Sequence, residues 1–227
     1  MTPVWVIIAA AAAMAVVGHL TGRELATGGY RLDEDEADHA PGRTWWPGLA
    51  TAALAGLAAW SIGDLGGWAA LPAYLLFAWL TVALVWIDLD VHRLPVGLVV
   101  PTACWLVGLL AVASVATLDR RWLGAIAGAV VMGAVYLLLA VLPGGGVGGG
   151  DVRLAPVIGG LLGWLGAGSF LMGLLAGFVL GGLAAVALLA LRRVGLRTPI
   201  AYGPAMCLGA WVGIAYTSRI LTWLAGG

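Results

Sequence analysis

Charge is what this sequence has least of. Lysine is absent, and Asp, Glu and Arg together make up 10% of its 227 residues. The eleven Arg and the eleven acidic residues cancel, so no net charge is available to attract nucleic acid. Only two cysteines occur, Cys104 and Cys207, both within apolar stretches and without a CxxC repeat. This scarcity excludes a disulfide framework and gives no support for a zinc tetrad.

Apolar residues dominate what remains. The types A, V, I, L, M, F, W, Y and C make up 62% of the chain, more than a soluble domain of this length can bury. Apolar stretches of roughly 20 residues, each long enough to cross a bilayer as a helix, alternate with short polar breaks. The pattern predicts an all-α, polytopic membrane bundle of about eight helices, at 4–20, 45–62, 68–87, 96–117, 122–142, 152–166, 170–191 and 204–224.

The first apolar stretch is followed by the longest polar segment. We therefore expect residues 1–20 to form a first transmembrane helix, residues 21–44 a cytoplasmic polar loop, and residues 45–227 a membrane-embedded helical bundle. A cleaved signal peptide is the alternative for the first stretch. No basic residue precedes it, which favours a retained anchor.

The arginines predict the orientation in the membrane. With the amino terminus outside, eight of the eleven fall on inner segments, at positions 23, 31, 43, 93, 153, 192, 193 and 197. Because inner loops are enriched in basic residues, this orientation is favoured. It places the loops at Asp88 and Asp151 on the same, cytoplasmic face.

Three acidic residues adjoin apolar stretches: Asp88 and Asp90 end the third, and Asp151 begins the sixth. A carboxylate at such a position is costly unless it is paired or used, so a functional role is the default hypothesis. The alternative is that these residues cap helices, which suits Asp151 at a helix amino terminus. Glycines at 144–146 and 148–150 favour function, because interhelical turns do not require so many and something must approach this backbone closely.

Two carboxyl groups on one face can activate water. One ionised Asp takes the proton of the water while the other, protonated, donates a hydrogen bond to the scissile carbonyl. Because such a pair shares one proton, the residues alone do not assign the base to Asp88 or to Asp151. The glycine backbone beside Asp151 would allow an extended peptide to lie against it and would offer N–H groups to the developing oxyanion.

Three stretches of the chain resemble the bacterial type IV prepilin peptidases, which are membrane aspartic peptidases with a GxGD motif. The family pattern of Asp, six intervening residues and Pro is met by Asp88 and Pro95, and GxGD is met by Gly148-Gly149-Gly150-Asp151. The stretch TPIAYGPAMCLGAW over 198–211 is similar to the family's Pro-and-Gly motif at the last span. The resemblance implies that Asp88 and Asp151 are catalytic, with Gly148, Gly149, Gly150, Asp90, Arg153 and Pro95 binding substrate or supporting the site.

The resemblance also implies substrates, location and cofactors. The expected partners are prepilin or pseudopilin precursors of a type IV pilus or a secretion system, cleaved at the cytoplasmic face of the inner membrane. Larger members of the family carry a cysteine-rich zinc domain and methylate the new amino terminus with S-adenosylmethionine. The polar loop over 21–44 contains no cysteine, so zinc is not expected. S-adenosylmethionine would be needed only if methyl transfer occurs, and proteolysis requires no cofactor.

Several alternatives stay open at this point. Asp88, Asp90 and His92 could bind a metal ion, although too few other carboxylates are nearby to complete a hard-cation site. Arg153 could orient the Asp151 carboxylate or simply mark the cytoplasmic edge. The acidic run over 33–38 could attract a basic leader but is more typical of a solvated loop. A lipid phosphotransferase and an ion transporter are the competing functional classes.

Overall fold

The computed structural model describes residues 2–31, 43–62, 68–91, 95–142, 148–190 and 202–216. Every regular element within these ranges is helical, as the composition predicts. The α-helices are α1 (Val4–Leu25), α2 (Trp46–Ile62), α3 (Leu71–Val91), α4 (Val96–Thr117), α5 (Arg121–Val141), α6 (Gly149–Leu165), α7 (Ala167–Ala190) and α8 (Gly203–Ala215). A 3₁₀ turn, Trp68–Ala70, leads into α3. The predicted all-α architecture and the order of its helices are confirmed.

Helix α1 is longer than predicted. It continues past Leu20 to Leu25, so its last turn occupies the start of the expected polar loop. The Thr21 hydroxyl donates a hydrogen bond to the Val17 carbonyl at 2.9 Å and accepts one from the Trp79 indole at 2.8 Å. Because both hydrogen bonds satisfy the Thr21 hydroxyl within the fold, this polar residue does not end the helix. Hydropathy alone does not reveal such partners.

Among the described residues, five segments are long and apolar enough to cross a membrane: α1, α3 with its 3₁₀ turn, α4, α5 and α7. Helices α2 and α8 are apolar but shorter as described, and α6 has 17 residues and two charged side chains. A crossing takes about 20 residues, so α6 is short for a span. By length and composition, the protein is a membrane helical bundle.

The contacts divide the chain into two compact units, Met1–Ala113 and Ser114–Gly227. In the first unit, α3 packs on α1 and α2, and α1 and α2 meet at small residues. A Cβ atom added at Gly18 would lie 2.6 Å from the Pro47 carbonyl oxygen, and one at Gly48 would lie 3.1 Å from that of Ala15. Glycine therefore allows these two helices to approach backbone to backbone.

In the second unit, α5 and α6 form an antiparallel pair with the same kind of contact. A Cβ atom at Gly124 would overlap the Gly163 carbonyl oxygen, and a Cβ atom at Gly128 would overlap that of Gly159. The turn after α6 passes through Gly166, whose φ of 124° disfavours any other residue. Helices α7 and α8 complete this unit, packing on each other and on α6.

Candidate active site

Asp88 lies in the last turn of α3 and is buried, with 4% of its surface exposed. Helix α3 is the most deeply buried of the five candidate spans. A carboxyl group at the end of such a helix loses much of its hydration, so it is rare there unless it is paired or has a function. Its burial agrees with the functional role predicted for this residue and leaves that role a prediction.

Asp90, two residues further on, is held by a set of polar contacts. Arg31 donates to both carboxylate oxygens, from Nε to Oδ2 at 2.9 Å and from Nη2 to Oδ1 at 3.1 Å. The Tyr30 hydroxyl donates to Oδ2 at 2.6 Å, and the Trp86 indole donates to the Tyr30 oxygen at 3.1 Å. We call these four residues the Asp90 clamp.

The Asp90 clamp ties the segment after α1 to the end of α3, one turn or less from Asp88. The two segments thus meet at the same end of the first unit, as an alternating topology requires. The sequence predicts that Asp90 supports the site but does not reveal Tyr30 and Arg31 as its partners, because Arg31 and Asp90 are 59 positions apart. The only local sign of these partners is that a tyrosine and an arginine are adjacent in the predicted polar loop.

We expect Asp90→Asn to release the Tyr30–Arg31 segment. Asparagine removes the charge that pairs with Arg31 in a bidentate geometry, and such pairs are geometrically specific. Trypsin should therefore cut after Arg31 faster in this variant than in the wild-type protein. Asp119→Asn is the matched control, because Asp119 also pairs with an arginine, Arg121, at 2.8 Å but in the second unit. Equal cutting after Arg31 in both variants would contradict the role of the clamp.

High pH should release the same segment. Burial and the hydrogen bond to Asp90 raise the pKa of Tyr30 above its ordinary value of 10.0. The clamp needs the neutral phenol, so its stability is present below pH 10 and is lost as the pH rises through the raised pKa.

Asp151 lies in the first turn of α6 and is buried, with 5% of its surface exposed. Its Oδ2 atom accepts the backbone N–H of Gly148 at 3.3 Å, so the residue does cap its helix. The position also suits a negative charge, because the helix macrodipole is positive at this end. Capping requires a hydrogen bond but not burial, so it explains only part of this environment.

The glycines before Asp151 have more space around them than the glycines at which α5 packs on α6. A Cβ atom at Gly148 would lie 3.5 Å from Asp151 Oδ2, and one at Gly149 would lie 4.0 Å from Arg153 Nη1, both ordinary contacts. Gly148 has an extended backbone with φ of −70°, which any residue can adopt. Packing within the unit and local backbone conformation therefore do not explain these two glycines, and the hypothesis that they leave room for another molecule stands.

Three aromatic residues of the second unit, Tyr136, Phe178 and Tyr202, pack against one another. The fully buried Tyr136 ring stacks on Phe178, with centroids 5.7 Å apart, and lies 6.0 Å from the Tyr202 ring. The Tyr202 hydroxyl donates to the Gly177 carbonyl at 3.2 Å. Both tyrosines interact electrostatically with Asp151.

Neither tyrosine is singled out by the sequence as a candidate site residue. Tyr202 lies in the stretch over 198–211, and the structure brings the described part of that stretch into the unit that contains Asp151. Residues 198–201 lie outside the described ranges. For Tyr136 the available signal was its spacing, because Gly128, Met132 and Tyr136 lie at every fourth position of α5 and all three are buried. Tyr136 is the one of the three that carries a hydroxyl group.

The other predicted residues have simpler surroundings. The Pro95 carbonyl accepts the N–H groups of Leu98 and Val99 at 3.0 and 3.1 Å, so Pro95 begins α4. Arg153 is exposed, and within the described chain it makes no ion pair with Asp151. His92 and the acidic run over 33–38 lie outside the described residues, as do Gly144, Gly145 and Gly146.

Metal ligands were an open alternative for Asp88 and Asp90. Within the residues that the structure describes, no group of three or more His, Cys, Asp and Glu side chains could hold a metal ion. The Asp90 carboxylate is instead bound by Arg31 and Tyr30. The expectation that zinc is not required stays a prediction.

The fold and these sites define a class of protein: a polytopic helical membrane protein with a buried carboxyl group near the end of one helix in each unit. Residues 74–186 match the sequence model of the type IV leader peptidase family. The chain belongs to this family. The matched region contains both Asp88 and Asp151, and the resemblance stated from the motifs is confirmed.

Curated relatives agree with this assignment. The chain is 35% identical over 176 residues to the prepilin leader peptidase/N-methyltransferase of Pseudomonas aeruginosa, covering 76% of this chain and 58% of that protein. It is 32% identical over 160 residues to the protein of the same name from Aeromonas hydrophila, covering 69% and 53%. The chain thus spans little more than half the length of these relatives. No solved structure matches it significantly.

Proposed function

We propose that this protein is a membrane aspartic endopeptidase that removes the leader peptide of type IV prepilins or pseudopilin-like precursors at the cytoplasmic face of the inner membrane. Asp88 and Asp151 are its catalytic pair. The observation that carries the proposal is the setting of Asp151: a buried carboxyl group in the first turn of α6, beside glycine backbone that packing does not require. Family membership supports the choice of reaction.

The pair would act with a single shared proton. The ionised carboxylate removes a proton from water as the water oxygen bonds to the scissile carbonyl carbon, and the protonated partner gives its proton to the carbonyl oxygen. When the intermediate collapses, the C–N bond breaks. The amine leaves with the proton taken from water, and the partner recovers its own proton from the intermediate. The pair ends with the one proton it began with.

Local structure suggests what each surrounding element does. Backbone N–H groups in the first turn of a helix lack intrahelical partners, so those of Gly149 and Gly150 can stabilise an oxyanion. The Asp90 clamp holds the end of α3 on which Asp88 lies. In the proposed orientation, the residues after α1, the end of α3 and the start of α6 all face the cytoplasm, where a basic leader would be presented.

Methyl transfer is named for the relatives and remains a candidate activity here. S-adenosylmethionine carries its own carboxylate, for which a cationic side chain is the usual partner. The cavity of about 490 Å³ beside α1 is lined mainly by apolar residues, with one carboxylate, Glu24, and no cationic side chain. It does not fit this cofactor, and we derive no methyl-transfer step.

The proposal is tested by incubating the full chain, purified in detergent, with a type IV prepilin precursor that carries its basic leader. We expect a shorter product with a single new amino terminus, identified by mass spectrometry, and no loss of cleavage with EDTA. An intact precursor after incubation with folded protein would reject the peptidase. Complete inhibition by EDTA would instead favour metal-dependent chemistry at Asp88 and Asp151.

A further inference from the structure

The hydroxyl of Tyr136 is an unusual group in the second unit. The side chain is fully buried, and no residue in the described part of the chain forms a hydrogen bond of good geometry with this hydroxyl, although the Tyr202 hydroxyl is close enough to interact with it. Buried polar groups are nearly always paired, because an unsatisfied one forfeits its hydration without compensation. Such a group therefore requires an explanation, and catalysis is one of the recognised ones.

The packing of α5 on α6 places this residue opposite Asp151. Gly124 meets Gly163 and Gly128 meets Gly159, so each step of four residues along α5 is matched by a step of four back along α6. Two further steps from Gly128 reach Tyr136, and two further steps back from Gly159 reach Asp151. The electrostatic interaction between the two side chains agrees with this register.

Neighbouring rings fix where the Tyr136 hydroxyl lies. Phe178 stacks on the ring at an interplanar angle of 10°, and Tyr202 lies against it at 54°. The Tyr202 hydroxyl already donates its hydrogen to Gly177, so its oxygen remains able to accept one. The Tyr202 oxygen is therefore one acceptor available to Tyr136, and the register of α5 on α6 brings the Asp151 carboxyl group to the same end of the helix pair.

Few other ionisable groups lie on the described helices around the Tyr136 hydroxyl. Helix α7 contains no ionisable residue, and Arg121, the single charged residue of α5, lies at the opposite end of that helix. On α6, the charged residues are Asp151 and the exposed Arg153. Of the acceptors within reach, an ionised carboxylate is the strongest for a phenol hydrogen.

We propose that Tyr136 is a positioning residue for Asp151, donating a hydrogen bond to the ionised carboxylate and turning to the Tyr202 oxygen when Asp151 is protonated. This inference rests on the proposed peptidase function. The bond would hold the carboxylate in one orientation and favour its charged form. The fixed Gly148 N–H on Oδ2 would then be joined by a donor that responds to the charge of Asp151.

The test compares Tyr136→Phe with Tyr216→Phe, a control that removes a phenol hydroxyl elsewhere in the same unit. We expect Tyr136→Phe to lower kcat for the prepilin precursor by about tenfold to a hundredfold, the effect of losing one hydrogen bond to a charged group. KM should stay within about twofold, because the bond acts on the chemical step. The acid limb of the kcat/KM profile should move to higher pH, because a donor that favoured the ionised carboxylate is gone.

Thermal unfolding separates this role from a structural one. Phenylalanine keeps the ring and its packing, and it removes the desolvation cost of the hydroxyl together with its hydrogen bond, so Tyr136→Phe should unfold close to the wild-type temperature. A variant that unfolds far earlier, or one with the activity and pH profile of Tyr216→Phe, would overturn the inference while leaving a cleaving wild-type enzyme intact. A wild-type protein that does not cleave the precursor would reject the peptidase and this role together.

Discussion

Replacing Asp88 or Asp151 by asparagine should lower precursor cleavage by about two to four orders of magnitude, the contribution of a positioned acid–base group. Asparagine has nearly the same shape as aspartate but can neither take nor give the proton. If the two residues work as one unit, the double variant should be no slower than either single variant, since effects within a catalytic unit do not add. Initial rates on the detergent-purified proteins at equal concentration measure this.

Asp119→Asn is the control for this pair of substitutions. Asp119 lies in the turn between α4 and α5, its side chain is 30% exposed, and its carboxylate pairs with Arg121. Cleavage should be unchanged in this variant. Full activity in Asp88→Asn or in Asp151→Asn would remove that residue from the mechanism, and a comparable loss in Asp119→Asn would show that the assay reports something other than catalysis.

A valine at Gly159 should destabilise the second unit by about 3 kcal/mol, the upper end of the usual cost of overpacking. Its Cβ would overlap the Gly128 carbonyl oxygen and would lie 2.6 Å from the Cβ of Met132. Backbone cannot move aside as a side chain can, so α5 would have to separate from α6. Loss of this contact would also displace Tyr136 from Asp151. Thermal unfolding monitored by size-exclusion chromatography in detergent would show the destabilisation.

Gly182→Val is the matched control, because Gly182 lies within α7 and a Cβ there meets nothing within 4 Å. This variant should unfold at the temperature of the wild type or above, since valine is a better helix former than glycine. Equal stability of Gly159→Val and Gly182→Val would show that the close approach of α5 and α6 is not required.

Hydropathy alone was sufficient to find the helices. The bounds of α4 were predicted to the residue, and those of α5 were shifted by one. Each of these helices must contain enough consecutive apolar residues to cross the lipid, so its length is written in the sequence. The end of α1 was predicted five residues too early, because Thr21 is satisfied by the Val17 carbonyl and by Trp79.

For the site, the sequence was informative about individual residues and silent about their partners. Asp88 and Asp151 stand out because a carboxyl group beside an apolar span is rare and costly, whichever fold surrounds it. The Asp90 clamp could not be inferred, since two of its members lie in the segment after α1 and two in α3, and nothing local pairs Arg31 with Asp90. The opposition of Tyr136 and Asp151 depends on which glycines of α5 and α6 meet.

By itself, the sequence determined the membrane class, the order of the helices and the family, and it singled out two aspartates as candidates for catalysis, because each apolar span and each carboxyl group beside one can be recognised without knowing its partners. Only the tertiary structure decided which groups those aspartates and their neighbours meet: the donors on Asp90, the Gly148 N–H on Asp151, and the burial of the Tyr136 hydroxyl in the same unit as Asp151. The physical reason is that the register between two helices is set by which small residues pack against each other, and this chain has many glycines that could have formed such a contact.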